Sequence, residues 1–161
     1  MYYILYILIV LSFGVMIYQD ITSRHIHIVL PILIFGISFY LNKHIIDYLD
    51  IIRSISFLMI NFIVITVYFA IKKSKLLNPF KHYIGIGDLL FLIGVTPMFS
   101  FRNYVLFFIT GMLFTLIIYT IFKKTYKQDT IPLAGYLSIF ALILIAVDFS
   151  FPINLFYGFI F

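Results

Sequence analysis

Two aspartates are the residues of this chain that are best placed to perform chemistry. Asp88 directly follows Gly85-Ile86-Gly87 and begins a long apolar stretch, and Asp20 ends another one. A carboxylate inside a membrane helix costs about 2.5–3.5 kcal/mol at the helix centre on insertion scales. Each of these aspartates is therefore a candidate functional residue, and each is the natural partner of the other.

A pair of carboxyl groups has a specific catalytic ability. Two carboxyls held within a few ångströms cannot both ionise, so the pair holds a single proton near neutral pH and titrates as one unit. The ionised member can take a proton from water while the protonated member polarises a peptide carbonyl. This is general acid–base hydrolysis without a covalent intermediate or a metal. We therefore predict Asp20 and Asp88 as catalytic residues.

The two glycines before Asp88 are predicted to shape the site. Gly85 and Gly87 permit positive φ angles and close backbone approach, so an extended substrate can lie against this segment. They also let the helix begin late, which leaves Asp88 near the helix N-terminus, where the dipole favours negative charge. The alternative is that both glycines only loosen a loop or allow tight helix packing.

The composition excludes an ordinary soluble domain. The 161 residues are 64% hydrophobic and 11% charged, with a mean hydropathy of +1.16, whereas soluble domains average about 45–50% apolar and about 25% charged residues. The length allows about six spans of roughly 20 residues each. We predict an all-α, polytopic membrane bundle of six transmembrane helices, forming a single domain over residues 1–161 with no soluble domain.

The chain contains no cysteine, which excludes disulfides, thiol catalysis and cysteine-ligated zinc. Its four histidines are scattered without metal-ligand spacing, so we expect neither a metal nor a cofactor. The apolar start lacks a basic region and a small-residue cleavage site, and we interpret it as a retained first span rather than a signal peptide.

The apolar stretches and their polar breaks predict where the spans lie. Pro132 suits the first turn of the last helix, where its missing N–H is not needed. The apolar tail after Asp148 is too short for a comfortable seventh span, and Pro152 argues against a continuing helix. The approximate predicted spans are 2–18, 26–41, 54–71, 85–101, 104–122 and 131–147.

Basic residues predict the orientation. The connectors between spans 1 and 2, 3 and 4, and 5 and 6 carry eight Lys and Arg residues, and the two other connectors carry three. Cytoplasmic loops are enriched in these residues, so the N-terminus is expected outside and both aspartates at the cytoplasmic face. The set of eight consists of Arg24, Lys72, Lys73, Lys75, Lys81, Lys123, Lys124 and Lys127. The set of three consists of Lys43, Arg53 and Arg102.

Three motifs in this order resemble those of the prepilin peptidases, membrane aspartyl proteases of the GxGD class. The family pattern D-x-x-x-R-x-I-P is similar to Asp20-Ile-Thr-Ser-Arg24-His-Ile-His27, in which His27 replaces the usual proline. The family G-x-G-D corresponds to Gly85-Ile-Gly87-Asp88. The motif with which the last helix begins in the family is similar to Ile131-Pro132-Leu-Ala-Gly135.

The resemblance implies a membrane endopeptidase that removes the short basic leader of type IV pilin, pseudopilin or archaellin-type precursors at the cytoplasmic face. It implies a multi-pass protein of the cytoplasmic (inner) membrane, whose partners are the precursor and the lipid bilayer. The chain is similar to short preflagellin and tight-adherence pilus peptidases. Because it lacks the Cys-x-x-Cys segment, N-methyltransferase activity is not expected. At the second position after Asp88, where the family frequently has a lysine, this chain has Leu90.

Other interpretations remain open at this stage. Arg24 and Pro132 are predicted to bind substrate or shape the site, although Arg24 also fits a role in membrane topology. The lysines are expected to face anionic headgroups rather than nucleic acid. A non-enzymatic membrane protein that binds protons or cations through the aspartates is the main alternative. A presenilin-type protease shares the motif order but needs more spans than 161 residues allow.

Overall fold

Six α-helices and one 3-10 turn make up the computed structural model, which describes residues 2–73, 85–122, 131–151 and 155–157. All regular structure within these residues is helical, which confirms the predicted all-α class. The 3-10 turn, Thr96–Met98, follows the fourth helix. The helices are α1 (Tyr2–Ser23), α2 (Val29–Asn42), α3 (Tyr48–Lys73), α4 (Ile86–Gly94), α5 (Phe101–Phe122) and α6 (Leu133–Ser150).

The helices fall into two length classes. Four of them, α1, α3, α5 and α6, are long and apolar enough to cross a membrane. At about 1.5 Å per residue, the 22 residues of α1 extend about 33 Å, which matches a hydrocarbon core of about 30 Å. The 14 residues of α2 extend only about 21 Å, and α4 with its 3-10 turn is also short. Large apolar side chains such as Leu11, Ile60 and Leu113 are exposed on the outer faces.

Several helices extend beyond the limits predicted from polar residues. The first helix continues to Ser23, so Asp20 lies inside it rather than in a connector. The third begins at Tyr48, before the predicted start at residue 54, and Arg53 forms a 3.3 Å ion pair with Asp50 one turn away. Such i,i+3 pairs are compatible with a helix surface, which explains why these charges do not end the helix.

The fourth predicted span is broken in the structure. The α-helix ends at Gly94, and Pro97 lies in the 3-10 turn that follows. Proline lacks an N–H and clashes with the preceding turn, so the helix cannot continue through it. A Cβ at Gly94 would lie 2.8 Å from the Pro31 carbonyl oxygen, which shows how closely α4 approaches α2.

The bundle is arranged around α1 and α6. Helix α1 packs against α6 and α2, α2 packs against α4, and α5 packs against α6 and α3. The rings of Phe13 and Phe91, 6.1 Å apart, join α1 to α4 inside the core. Because the end of α1 lies beside the start of α6, these two helices run antiparallel.

The described part of the C-terminal tail closes the opposite end of the bundle. Asp148 accepts a 2.9 Å hydrogen bond from the Leu155 N–H, and the Tyr157 hydroxyl donates to Asp50. The Phe156 ring packs 4.8 Å from that of Phe99. Burial and the Asp50 carboxylate together raise the pKa of Tyr157. Pro152 of the predicted tail lies outside the described residues, as do Lys75, Lys81, Lys123, Lys124 and Lys127.

Candidate active site

Asp20 lies on the face of α1 that packs against the start of α6. Its side chain is only 5% exposed. The Gly135 N–H donates a 2.6 Å hydrogen bond to Asp20 Oδ2. A Cβ at Gly135 would lie 3.1 Å from Oδ2 and 3.2 Å from the Asp20 Cβ, so a side chain at this position would push the aspartate away by a few tenths of an ångström. The absence of a side chain at Gly135 therefore favours this close contact.

Asp88 lies in the first turn of α4 and has two hydrogen bonds. Its Oδ2 accepts the Gly85 N–H at 3.2 Å, which caps its own helix. Its Oδ1 accepts the Ala134 N–H at 3.0 Å, from α6. Capping alone would require only the first of these bonds. The second directs Asp88 to the same helix that holds Asp20.

The two aspartates therefore bind consecutive amides of one helix. Consecutive backbone nitrogens are less than about 4 Å apart, so the bound oxygens of Asp20 and Asp88 lie within about 10 Å of each other. The predicted pair of acids is brought together by the structure, from two helices that are distant in sequence.

The start of α6 explains why these amides are available. The first N–H groups of a helix have no partner within it and are usually satisfied by a capping side chain. Pro132 precedes α6 and offers no capping hydrogen bond. The Ala134 and Gly135 amides are satisfied by the two aspartates instead, and the positive end of the helix dipole faces the carboxylates.

Pro132 is buried at this position, directly before the helix rather than in its first turn as predicted. Its carbonyl accepts the Tyr136 N–H at 3.1 Å and so begins the helical hydrogen-bond pattern. Its contribution to the site is to start α6 where the Ala134 and Gly135 amides face the aspartates. The sequence reasoning missed Ala134 and Gly135 as donors. Two small residues after a proline were the available signal, because small residues allow a neighbouring side chain to reach the backbone.

The glycines before Asp88 act through close approach. The expectation of positive φ was wrong, since none of the described glycines has one and Gly85 has φ −67°. A Cβ at Gly85 would lie 3.1 Å from Asp88 Oδ2, and one at Gly87 would lie 3.3 Å from Ile26 Cδ1. Gly85 thus gives room to the carboxylate, and Gly87 gives room to the connector between α1 and α2.

Arg24 follows the end of α1 in a left-handed conformation, with φ 57°. This conformation costs a residue with a Cβ roughly 1–2 kcal/mol, and helices that end this way usually do so at glycine. The charge of Arg24 interacts with both Asp20 and Asp88. The structure therefore places this predicted site-shaping residue beside the acid pair, at the expense of local strain.

The two acids differ in burial. Asp20 is buried and Asp88 is partly buried, whereas Gly85, Ile86 and Ile131, at the starts of α4 and α6, are exposed. An apolar cavity of about 340 Å³ lies at the other ends of α1 and α2, away from the aspartates.

Two carboxyls fixed by backbone donors of one helix are groups that can act as general acid and general base. Within the described ranges, no three His, Asp, Glu or Cys side chains form a group that could hold a metal ion. Comparison of the chain with protein-family models, curated proteins and solved structures gave no match.

Proposed function

We propose that this chain is a membrane aspartyl endopeptidase in which Asp20 and Asp88 activate water for attack on a peptide bond. The observation that carries the proposal is the binding of both carboxyls to the consecutive amides of Ala134 and Gly135. A single capping aspartate would be ordinary. Two acids from different helices at one helix start form a pair that can share a proton.

The reaction needs one proton on the pair. The ionised carboxyl takes a proton from water, and the protonated carboxyl donates to the carbonyl oxygen of the scissile bond as the tetrahedral intermediate forms. The carboxyl that took the proton from water then donates it to the leaving amine, and a hydroxyl of the tetrahedral intermediate gives its proton to the other carboxyl. The peptide bond breaks into a carboxylic acid and an amine, and the pair again holds one proton. The α6 amides keep both carboxyls in place, so little reorganisation is needed.

The substrate we propose is a prepilin-like precursor, cut between its short basic leader and its apolar helix. The three motifs that resemble those of prepilin peptidases support this choice, and two of them supply the acids while the third supplies the amides. A leader leaving the membrane would meet the starts of α4 and α6, where Ile86 and Ile131 are 61% and 41% exposed.

We further propose a cytoplasmic-membrane protein with six crossings and an outside N-terminus. The excess of Lys and Arg in alternate connectors supports this orientation. Helices α2 and α4 are shorter than the bilayer core, so their neighbours must absorb the mismatch. Because the chain has no cysteine, single-cysteine labelling tests the topology. Lys43→Cys should react with an impermeant maleimide in intact cells, and Ser23→Cys only after permeabilisation.

The decisive test is cleavage by the purified, reconstituted chain of a peptide with a basic leader followed by an apolar segment. Asp20→Asn and Asp88→Asn should each lower the rate of cleavage at least about 100-fold. Asp148→Asn is the matched control, because Asp148 is 6% exposed, close to the 5% of Asp20, but lies at the opposite end of α6. A cation-dependent rise in thermal stability without any cleavage would instead support the non-enzymatic alternative.

A further inference from the structure

Gln19 joins the end of α1 to the connector that follows it. The backbone N–H of His27 donates to Gln19 Oε1 at 2.9 Å. Gln19 is adjacent to Asp20, and His27 lies in the connector between α1 and α2. The bond therefore closes the connector into a loop whose base lies beside the first acid.

The closed connector packs against the start of α4, which carries Asp88. Ile26 is partly buried and approaches Gly87 so closely that a Cβ there would lie 3.3 Å from Ile26 Cδ1. Gly87 precedes Asp88, so a shift of Ile26 moves the start of α4. The loop also contains Arg24, whose charge interacts with both acids.

We infer that Gln19 is a positioning residue, which sets the separation of Asp20 and Asp88 through the His27 amide and the packing of Ile26 on Gly87. This inference rests on the proposed protease function. Gln19 touches neither the substrate nor the reacting atoms. Its effect is to hold the connector so that α4 presents Asp88 at the distance from Asp20 that acid–base catalysis requires.

The test removes the acceptor and the donor of this bond separately. Gln19→Met keeps the side-chain length without the acceptor, and Gln19→Glu keeps an acceptor oxygen. His27→Pro removes the N–H, and His27→Ala keeps it. We expect Gln19→Met to lower kcat about tenfold with KM unchanged, because small displacements of catalytic groups reduce the rate strongly. Gln19→Glu and His27→Ala should stay within about threefold of the parent.

A double variant and an exchange measurement complete the test. Gln19→Met combined with His27→Pro should lose no more activity than His27→Pro alone, because both changes break the same bond. Amide hydrogen exchange across the connector should accelerate in Gln19→Met and not in His27→Ala.

The outcomes separate the two proposals. If the parent chain cleaves and Gln19→Met cleaves equally well, the positioning role is refuted while the protease remains. The positioning role is also refuted if Gln19→Glu loses as much activity as Gln19→Met, or if the connector exchanges at the parent rate in Gln19→Met. If the parent does not cleave at all, the protease proposal itself fails, and the role of Gln19 in it fails with it.

Discussion

Replacement of Gly135 by alanine probes the contact on which the site depends. The added Cβ would lie 3.1 Å from Asp20 Oδ2 and 3.2 Å from Asp20 Cβ, closer than ordinary van der Waals contact. Asp20 is 5% exposed, so it cannot move into solvent without disturbing the packing of α1 on α6. We expect the 2.6 Å bond from the Gly135 N–H to lengthen or break.

The magnitude follows from the lost hydrogen bond. A bond to a charged group contributes about 1.5–3 kcal/mol. If this loss falls on the transition state, kcat/KM drops about 10- to 100-fold, at about 1.4 kcal/mol per factor of ten. The assay is steady-state cleavage of the leader peptide by Gly135→Ala in lipid nanodiscs, with thermal unfolding recorded on the same sample.

Gly111→Ala is the matched control. A Cβ there would lie 2.7 Å from Leu137 Cδ2, an overlap at least as severe, but against the end of a flexible side chain and away from the aspartates. Its kcat/KM should remain within about threefold of the parent once corrected for the folded fraction. A Gly135→Ala protein that is folded and as active as the control would refute the proposed role of the Gly135 amide.

Two further changes separate stability from activity. Arg24→Gly should raise the free energy of unfolding by about 1 kcal/mol, because glycine accepts φ 57° without strain. The same change should lower cleavage about tenfold, because it removes the charge beside the acids. A stable and fully active variant would contradict this prediction. Tyr157→Phe should lower the free energy of unfolding by about 1.5–3 kcal/mol through loss of the bond to Asp50. Cleavage per folded molecule should be unchanged, and a selective loss of kcat would show that the two ends of the bundle are coupled.

The sequence was sufficient to predict the all-helical fold class and to identify the two aspartates as a candidate functional pair. Their hydropathy context distinguishes Asp20 and Asp88 from exposed Asp47 without any structural knowledge. The helix limits were less predictable, because polar residues were assumed to end helices. Asp20 and Asp50 both lie within helices, where Gly135 and Tyr157 provide their hydrogen-bond donors from distant parts of the chain.

The backbone donors could not be predicted, because an amide N–H has no signature in the sequence. Which amides remain free at the start of α6 depends on where the helix begins, and α6 begins at Leu133, two residues after the predicted start of the span at residue 131. For Gly85 and Gly87 the sequence predicted close approach and a late helix start that leaves Asp88 in the first turn, but not which atoms approach them. Their close neighbours, Asp88 Oδ2 and Ile26, become apparent only once the connector and α4 are folded together.

The most direct test of the acid pair is a double-mutant cycle on cleavage, comparing Asp20→Asn, Asp88→Asn and the double variant at equal folded protein. Each single change should reduce kcat/KM by at least about 100-fold, the range of general acid–base catalysis. The double variant should be no worse than either single variant, because residues that act as a unit are not additive. Substantial activity in either single variant, or losses that simply multiply, would contradict a shared catalytic pair.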